Sequence, residues 1–373
     1  MRIGVNARLL LSKNLEGIPG YIYETTSKMA TNHPDDEFIL FYDRFNRDKL
    51  PFPSNVKHVV IPLQARHPVL WYFWFEWFMP VYLKIYKVDI FYSADGYLSL
   101  STDIPTVMVI HDLAFARYPD HISVSILKYY RKYVPKFLNK AMSIVTVSNY
   151  VKDDISKLFD IPDQKIHVAY NAVSDSDKTQ DKGKIRKIIG NILTGLPYFI
   201  YVGSLHPRKN IVRLISAFDL YNKNNDLKYK LILAGRMAWK ASEIKDEIAD
   251  TPNVLFTGMI SEDEKKVLIQ NARALIYVSL FEGFGIPILE AMIHNTPVIT
   301  SDVSSMPEVA GGAAILVNPE DVINISAGIK LMAEDTETRN KYIALGKSRV
   351  LDFSWEDSSK KIYDLLVEAL KKK

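Results

Sequence analysis

Residues 275–302 read LIYVSLFEGFGIPILEAMIHNTPVITSD, and no other run narrows the possible folds as far. Leu275–Val278 is short, apolar and partly β-branched, which suits a strand buried on both faces of a parallel sheet. Gly283 and Gly285 let the backbone turn sharply and come close to a ligand. Pro287 suits the start of a helix, Asn295 and Pro297 stop it, and Val298–Thr300 begins another strand. The spacing therefore predicts strand, glycine loop, short helix, strand.

Two carboxylates in this unit occupy different positions. Glu282 lies in the loop before the helix and Glu290 about one turn inside it. A helix N-terminus presents unpaired N–H groups and a partial positive charge, so it favours a phosphate. A carboxylate aimed at that phosphate is repelled, so Glu290 is better used on neutral hydroxyls such as a ribose diol. Glu282, at the loop tip, reaches a polar group beyond the phosphates, such as a sugar. The unit has the form needed for a sugar joined to a nucleotide through a diphosphate.

With 373 residues the chain is too long for one core and is expected to form two domains. A formal charge of +4 is too mild to argue for nucleic acid. The absence of cysteine excludes disulfides, zinc–thiolate sites and thiol catalysis, and fits a reducing compartment. Met1–Val5 runs straight into a strand, so no signal peptide is expected. The most apolar stretch, Val69–Leu83, contains Glu76 and falls short of the roughly 20 residues that span a bilayer.

In the N-terminal half, a first strand over Arg2–Asn6 leads to a loop with Gly17, Ile18, Pro19 and Gly20, and a helix is expected from about Tyr21 to Thr31; this is a phosphate-cradle arrangement. Phe38–Tyr42, Val59–Ile61, Asp89–Tyr92, Thr106–Ile110 and Ser143–Val147 read as further strands. His111 and Asp112 follow one of them at its carboxyl end, where open α/β sheets bind ligands, and Asp112 is placed to orient the imidazole by hydrogen bonding. Ser148 caps the next helix, and Val168–Val173 ends the domain, with Asn171 expected at its cleft-facing edge. Seven of the eight residues Trp71–Phe78 are aromatic, with Lys84 and Lys87 beyond. This segment reads either as a wide aromatic core face or as an interfacial helix or dock for a lipid-linked acceptor. His121–Lys140 carries Lys128, Arg131, Lys132, Lys136 and Lys140 without an acidic residue, with tyrosines interleaved, and Pro135 is expected to kink or divide it. It reads as a solvated basic face or a contact for anionic lipid or a pyrophosphate-linked acceptor.

The polar, lysine-rich run Ser174–Lys184 is the candidate linker, and its Asp175-Ser176-Asp177 reads as a solvated loop and not a metal site. Tyr198–Val202 opens the second half as a buried strand. It is followed by Gly203-Ser204-Leu205-His206-Pro207-Arg208-Lys209-Asn210, a second phosphate-type turn whose two cations can neutralise a diphosphate without metal. Lys230–Ala234 and Val254–Thr257 are strands, Ser261 with Glu264 forms a capping box, and Ser301–Glu308 is expected as a loop. Trp355–Lys373 is an amphipathic helix with Ile362, Leu365, Leu366 and Leu370 on one face.

The pattern Glu-Gly-Phe-Gly-x-Pro-x-x-Glu-Ala at residues 282–291 closely resembles the E-x7-E signature of the retaining glycosyltransferases of family 4. The resemblance implies the α/β GT-B fold: two Rossmann-like domains facing across a cleft, with the C-terminal helix crossing back to the first. The expected boundaries are 1–173, a linker 174–196, 197–355, and the crossover helix 356–373. Arg208-Lys209-Asn210 resembles the family's diphosphate motif, although Ser204 stands where many members carry arginine. The resemblance implies His111 and Glu282 as catalytic residues beside the transferred sugar. It implies Gly17, Gly20, Gly203, Arg208, Lys209, Met259, Gly283, Phe284, Gly285, Ile286 and Glu290 at the donor, with Asp112, Ser148 and Asn171 as further candidates.

The implied reaction moves a sugar from a nucleotide sugar to a hydroxyl of a glycan or lipid-linked acceptor, with retention and with no metal or other cofactor. Chain length, the aromatic segment and the basic helix resemble bacterial mannosyltransferases of surface polysaccharide synthesis, which makes GDP-mannose the expected donor. The expected location is cytoplasmic, peripheral on the inner face of the plasma membrane through 71–87 and 121–140. A sugar-nucleotide epimerase of related fold and a silent binding subunit of a transferase complex remain the alternatives.

Overall fold

In the computed structural model the described residues are 1–11, 15–45, 50–173, 196–223, 225, 228–237 and 242–372. The expected linker 174–196, all but Leu196, and its Asp-x-Asp lie outside them. The chain divides into two units, Met1–Asn171 with Ser354–Lys373, and Ala172–Phe353.

In the first unit the apolar runs form seven parallel strands: β1 (Arg2–Asn6), β2 (Glu37–Tyr42), β3 (Val56–Val60), β4 (Ile90–Ser93), β5 (Thr106–Ile110), β6 (Ser143–Thr146) and β7 (Ile166–Val168), in the order β3-β2-β1-β4-β5-β6-β7. The second unit holds β8 (Tyr198–Val202), β9 (Lys230–Ala234), β10 (Val254–Gly258), β11 (Leu275–Tyr277), β12 (Val298–Ser301) and β13 (Ile315–Val317), in the order β10-β9-β8-β11-β12-β13. Both are doubly wound Rossmann-like sheets. Strand order reverses between β1 and β4 in one and between β8 and β11 in the other, and ligands of such sheets bind at the carboxyl ends beside that reversal.

The C-terminal helix, Trp355–Lys371, belongs to the first unit. Ile362, Leu365, Leu366 and Ala369 bury one face. Ser358 Oγ donates to the Tyr170 carbonyl at 2.7 Å and Tyr363 Oη to Asp36 at 2.6 Å.

The aromatic segment is helical throughout, as Pro68–Phe73, a π-helical turn over Trp74–Phe78, and Met79–Ile85. Its two readings fall on opposite sides of one rod. Trp71, Trp74, Phe75, Met79 and Leu83 are core, whereas Val69, Tyr72, Phe73, Trp77, Val81 and Ile85 face outward. Glu76 is buried and accepts from Leu100 N–H at 2.8 Å and Ser101 Oγ at 2.5 Å.

Three local expectations are corrected. The first helix begins at Ile18, not Tyr21, because Gly17 at φ +62° supplies the cap and Pro19 fits the first turn; Gly20 is therefore helical. Pro135 does not divide the basic stretch: Val124–Lys140 is one helix that runs through it, with Val134, Phe137 and Leu138 buried and Asn139 Nδ2 donating to the Pro135 carbonyl at 2.9 Å. The segment before Gly311 holds a short helix, Met306–Ala310, started by Pro307 and ended by Gly311 at φ +53°.

The carboxyl edge of the second sheet is built on a close approach. Gly235 sits at φ +143°, and a Cβ there would lie 2.6 Å from the Gly203 carbonyl carbon. Gly258, at φ +71°, would place its Cβ in open space. Gly235→Ala is therefore expected to lower stability by more than about 2 kcal/mol, and Gly258→Ala by about 1 kcal/mol from backbone strain alone, as measured by denaturant titration of both variants.

Candidate active site

Three loops at the carboxyl edge of the second sheet are laced by backbone hydrogen bonds. Gly203 N–H donates to Ala234 at 2.9 Å, Leu205 N–H to Arg236 at 2.9 Å, and Gly235 N–H to Gly258 at 2.9 Å. Gly203 takes φ +142°. Beyond Gly258, Met259 is 72% exposed at the edge of this surface. A short 3-10 turn, Pro207–Lys209, follows β8, and Asn210 at φ +61° leads into the helix Ile211–Lys223.

That turn is fastened to the Glu282 loop. Asn210 Nδ2 donates to the Val278 carbonyl at 3.1 Å, Leu280 N–H to the Arg208 carbonyl at 2.9 Å, and Arg208 Nη1 to the Phe281 carbonyl at 2.9 Å. On the far side Glu282 N–H donates to Ser304 Oγ at 3.2 Å, while Ser305 Oγ lies 2.9 Å from the Glu282 carbonyl and 3.0 Å from that of Phe284. The Phe284 ring is buried against Phe353, with ring centres 5.6 Å apart, so it anchors the loop. Gly285 at φ +101° caps the helix Ile286–Ile293.

The Glu282 carboxylate is buried and pairs with the Lys209 ammonium. Tyr277 Oη donates to it at 3.0 Å, and Arg208 Nη1 stands 3.7 Å away. Burial alone pushes this carboxyl up. Lys209 and Arg208 outweigh it and hold the group below the usual carboxylate range. Lys209 Nζ also reaches Tyr277 Oη at 2.8 Å. Glu290 is bound by Lys265 at 2.8 Å, and Lys265 also holds Glu262 at 2.8 Å from the capped helix Glu262–Gln270. Burial opposes the charge on Lys265, but the two carboxylates raise its pKa above the usual lysine value.

In the first unit, His111 follows β5 and is half-buried. Its Nε2 lies 2.8 Å from the Ala94 carbonyl, and the Tyr21 ring meets it edge-on with centres 5.0 Å apart. Burial lowers the imidazole pKa, with the Ala94 contact, Asp112 and Asp95 opposing. The expectation that Asp112 orients the imidazole by hydrogen bonding is corrected: Asp112 Oδ1 accepts from Ala114 N–H at 2.9 Å and shapes the loop, and the Ala94 carbonyl holds the ring. Ser148 Oγ accepts from Val151 N–H at 3.2 Å as the cap of the helix Asn149–Phe159. Asn171 is buried at the end of the unit.

The family model described as "Glycosyltransferase Family 4" matches residues 21–177, and that described as "Glycosyl transferases group 1" matches 183–349. The chain is 31% identical over 316 residues to the O-antigen chain mannosyltransferase RfbU of Salmonella typhimurium, covering 82% of each protein. The chain belongs to glycosyltransferase family 4. It is also 28% identical over 361 residues to O-antigen chain mannosyltransferase B of Escherichia coli, covering 92% of this chain and 93% of that protein. In fold it resembles the crystal structure of Anabaena Alr3699/HepE in complex with UDP-glucose, with TM-score 0.74 at 17% identity, covering 99% of this chain and 100% of that one. The two parallel-sheet units are those of the GT-B glycosyltransferases.

In this glycosyltransferase, Gly203, Arg208, Lys209, Met259, Gly283, Phe284, Gly285, Ile286, Glu282 and Glu290 lie on the loops and helix starts at one sheet edge of the second unit. Gly17, Gly20, His111, Asp112 and Ser148 follow carboxyl ends of strands in the first. Sequence reasoning missed Tyr277 and Lys265, the partners of the two glutamates. Tyr277 reads as one more apolar residue of β11, and Lys265 as a surface lysine of a capped helix. It also missed Asn6, Arg8 and Asp95, which bond one another at the turn whose Ala94 carbonyl meets His111.

Removing one partner of a buried pair strands the other charge. Lys209→Met is expected to cost about 3 kcal/mol, and Lys209→Met with Glu282→Gln to recover most of it. Because the folded carboxyl titrates below its unfolded value, the Glu282 contribution is present above about pH 4–5 and is lost as pH falls through the folded value. Denaturant titrations of both variants and the parent from pH 7 to pH 3 check both statements.

Proposed function

We propose that the enzyme transfers mannose from GDP-mannose to a hydroxyl of a glycan on a lipid-linked acceptor, with retention at the anomeric carbon and without a metal ion, at the cytoplasmic face of a membrane. The observation that carries this reading is the Arg208–Lys209–Glu282 unit at the β8/β11 reversal. Two cations and a carboxylate on adjoining loops match the two ends of a diphospho-sugar. The names of both mannosyltransferase relatives support mannose as the transferred sugar. The UDP-glucose bound by HepE supports a nucleotide sugar as donor.

In this mechanism Arg208 and Lys209 stabilise the charge that develops on the departing diphosphate, an effect of preorganised groups that need no rearrangement during the reaction. Glu282 accepts hydrogen bonds from sugar hydroxyls, Glu290 accepts those of the ribose, and His111 engages a sugar hydroxyl. The acceptor oxygen bonds to the anomeric carbon on the face from which the phosphate oxygen leaves. The acceptor proton passes to that phosphate oxygen, so retention requires no covalent adduct with the protein.

We also infer that the first unit rests on an anionic bilayer. Tyr72, Phe73, Trp77, Val81 and Ile85 make an exposed apolar stripe, with Lys84 and Lys87 at its end. The Tyr72 ring lies 5.9 Å from that of Tyr133, which is flanked by Lys132 and Lys136 at 5.0 and 5.9 Å. An aromatic stripe rimmed by lysines suits the headgroup boundary. Among the described residues no helix is long and apolar enough to cross a membrane.

Thermal shifts with GDP-, UDP-, ADP- and dTDP-sugars test the donor. GDP-mannose at a hundred times its Kd is expected to add about 2.7 kcal/mol of stability without metal, and Lys209→Met to lose this shift relative to its own baseline. A shift that requires magnesium, or one confined to another nucleotide, overturns the assignment. For the membrane, Lys132→Ala and Lys136→Ala are each expected to weaken binding to phosphatidylserine vesicles about fivefold, and Trp77→Ala to weaken it further. Unchanged vesicle binding in a folded Trp77→Ala variant removes the surface.

A further inference from the structure

The His111 imidazole is held by a backbone carbonyl, and that carbonyl belongs to a turn with an unusual support. Ala94 lies in the turn Ser93–Gly96 that follows β4, with Gly96 at φ +84°. The two residues that grip this turn come from the last position of β1 and the loop just beyond it, on the other side of the order reversal. Asn6 Nδ2 donates to Asp95 Oδ1 at 2.6 Å and to Ser93 Oγ at 3.0 Å. Arg8 Nη2 donates to Asp95 Oδ2 at 2.9 Å, and Arg8 Nη1 to the Ala65 carbonyl at 3.1 Å. Asn6, Arg8 and Asp95 are all buried, and the Arg8 guanidinium lies 4.9 Å from the centre of the Tyr97 ring. Each carboxylate oxygen of Asp95 thus accepts from a buried donor, and the turn is fixed at its centre.

A carbonyl oxygen can only accept, so His111 Nε2 carries the hydrogen in this contact. On its other side the ring meets Tyr21, whose hydroxyl donates to the Ala169 carbonyl at 3.2 Å and whose ring is backed by Trp355, with centres 5.6 Å apart. The imidazole is held between a fixed acceptor and a fixed ring. Among the described residues, Nδ1 has no hydrogen-bond partner. We propose that Asp95, gripped by Asn6 and Arg8, is a positioning residue that fixes His111 as the Nε2–H tautomer, so that Nδ1 accepts a hydrogen bond from a substrate hydroxyl. This rests on the proposed sugar transfer only for the identity of that hydroxyl.

The charged and titratable groups facing the imidazole are Asp95 from the turn after β4, Asp112 from its own loop, and Tyr21 from the helix Ile18–Asn32. Burial is the largest influence and keeps the ring neutral to lower pH than a free histidine; the two carboxylates and the Ala94 contact act the other way. Protonation turns Nδ1 into a donor, so activity falls on the acid limb. Removing the Asp95 charge moves that limb to lower pH if Asp95 acts only through its field. Loss of positioning instead lowers the plateau of the profile.

The test is imidazole ¹⁵N NMR of the full-length enzyme, with His111 assigned by its absence in His111→Gln, alongside the pH profile of kcat/KM in Asp95→Asn and Asn6→Ala. In the parent at pH 8, without any sugar, His111 is expected as the Nε2–H tautomer; an Nδ1–H tautomer overturns the proposal whatever the variants do. Asp95→Asn and Asn6→Ala are expected to show mixed tautomers and a plateau at least about tenfold lower. A lower plateau with the tautomer unchanged overturns the proposal, as does a mixed tautomer with full activity. Asn6→Ala removes one of the two donors and keeps the Arg8 pair, so it decides the matter if Asp95→Asn does not fold. A parent that turns over no sugar nucleotide would refute the transfer reaction while leaving the tautomer result to judge the positioning.

Discussion

A parallel strand cannot return to its neighbour through a tight turn, so successive strands within each unit are joined by crossovers that carry the chain back along the sheet. Every strand then points the same way, and every loop at its carboxyl end emerges on one edge. Where the order reverses, between β1 and β4 or between β8 and β11, adjacent strands send their chains to opposite faces and leave a crevice. The functional candidates of each unit come from sequence positions far apart, such as Lys209 and Glu282 or Asn6 and Asp95, because that edge is the one place where the topology brings them together.

The loops that gather there are held by close backbone approach more than by side-chain bulk. Gly235 lies against the Gly203 carbonyl, and Gly258 accepts from Gly235, so three loops share one ladder of backbone bonds. This spends no side chains on structure and leaves those of Arg208 and Lys209 for charge. Burying Glu282 is unfavourable by itself. The pair with Lys209 and nearby Arg208 reverse that preference and keep the carboxylate ionised.

Much of this was legible in the sequence. The six glycine and proline positions in Ser279–Pro297 and Gly203–Pro207 carry little ambiguity, because a glycine at φ +101° or a proline in a first helical turn has few alternatives; of the strands read from apolar runs, Tyr198–Val202, Lys230–Ala234 and Thr106–Ile110 have the expected bounds. The misplacements share a cause. The Met306–Ala310 helix and the unbroken helix through Pro135 are set by neighbours that pack against them, which local pattern does not encode. The aromatic segment was ambiguous because its density of rings hides the helical period; only the fold separates Trp74, fully buried, from Trp77, 63% exposed. Tyr277, Lys265 and Asp95 were missed for a related reason. Each acts through a partner distant in sequence, and none sits in a motif of its own.

The two buried acids at the two reversals are held in different ways, and the difference separates their roles. Asp95 is bonded by Asn6, whose fully buried side chain also bonds Ser93, and by Arg8, whose guanidinium lies 4.9 to 6.0 Å from the ring centres of Tyr97, Trp71 and Phe75. Exchanging those partners would require opening the core of the unit. Glu282 is bonded by Lys209, a long side chain with a compact, rotatable ammonium, on a turn beside the exposed edge. Its partners can be redistributed when another anion or a sugar hydroxyl enters, at the cost of side-chain rearrangement alone. A carboxylate locked on all sides is suited to defining geometry for a neighbour, and one whose cations can be shared is suited to meeting a charged substrate.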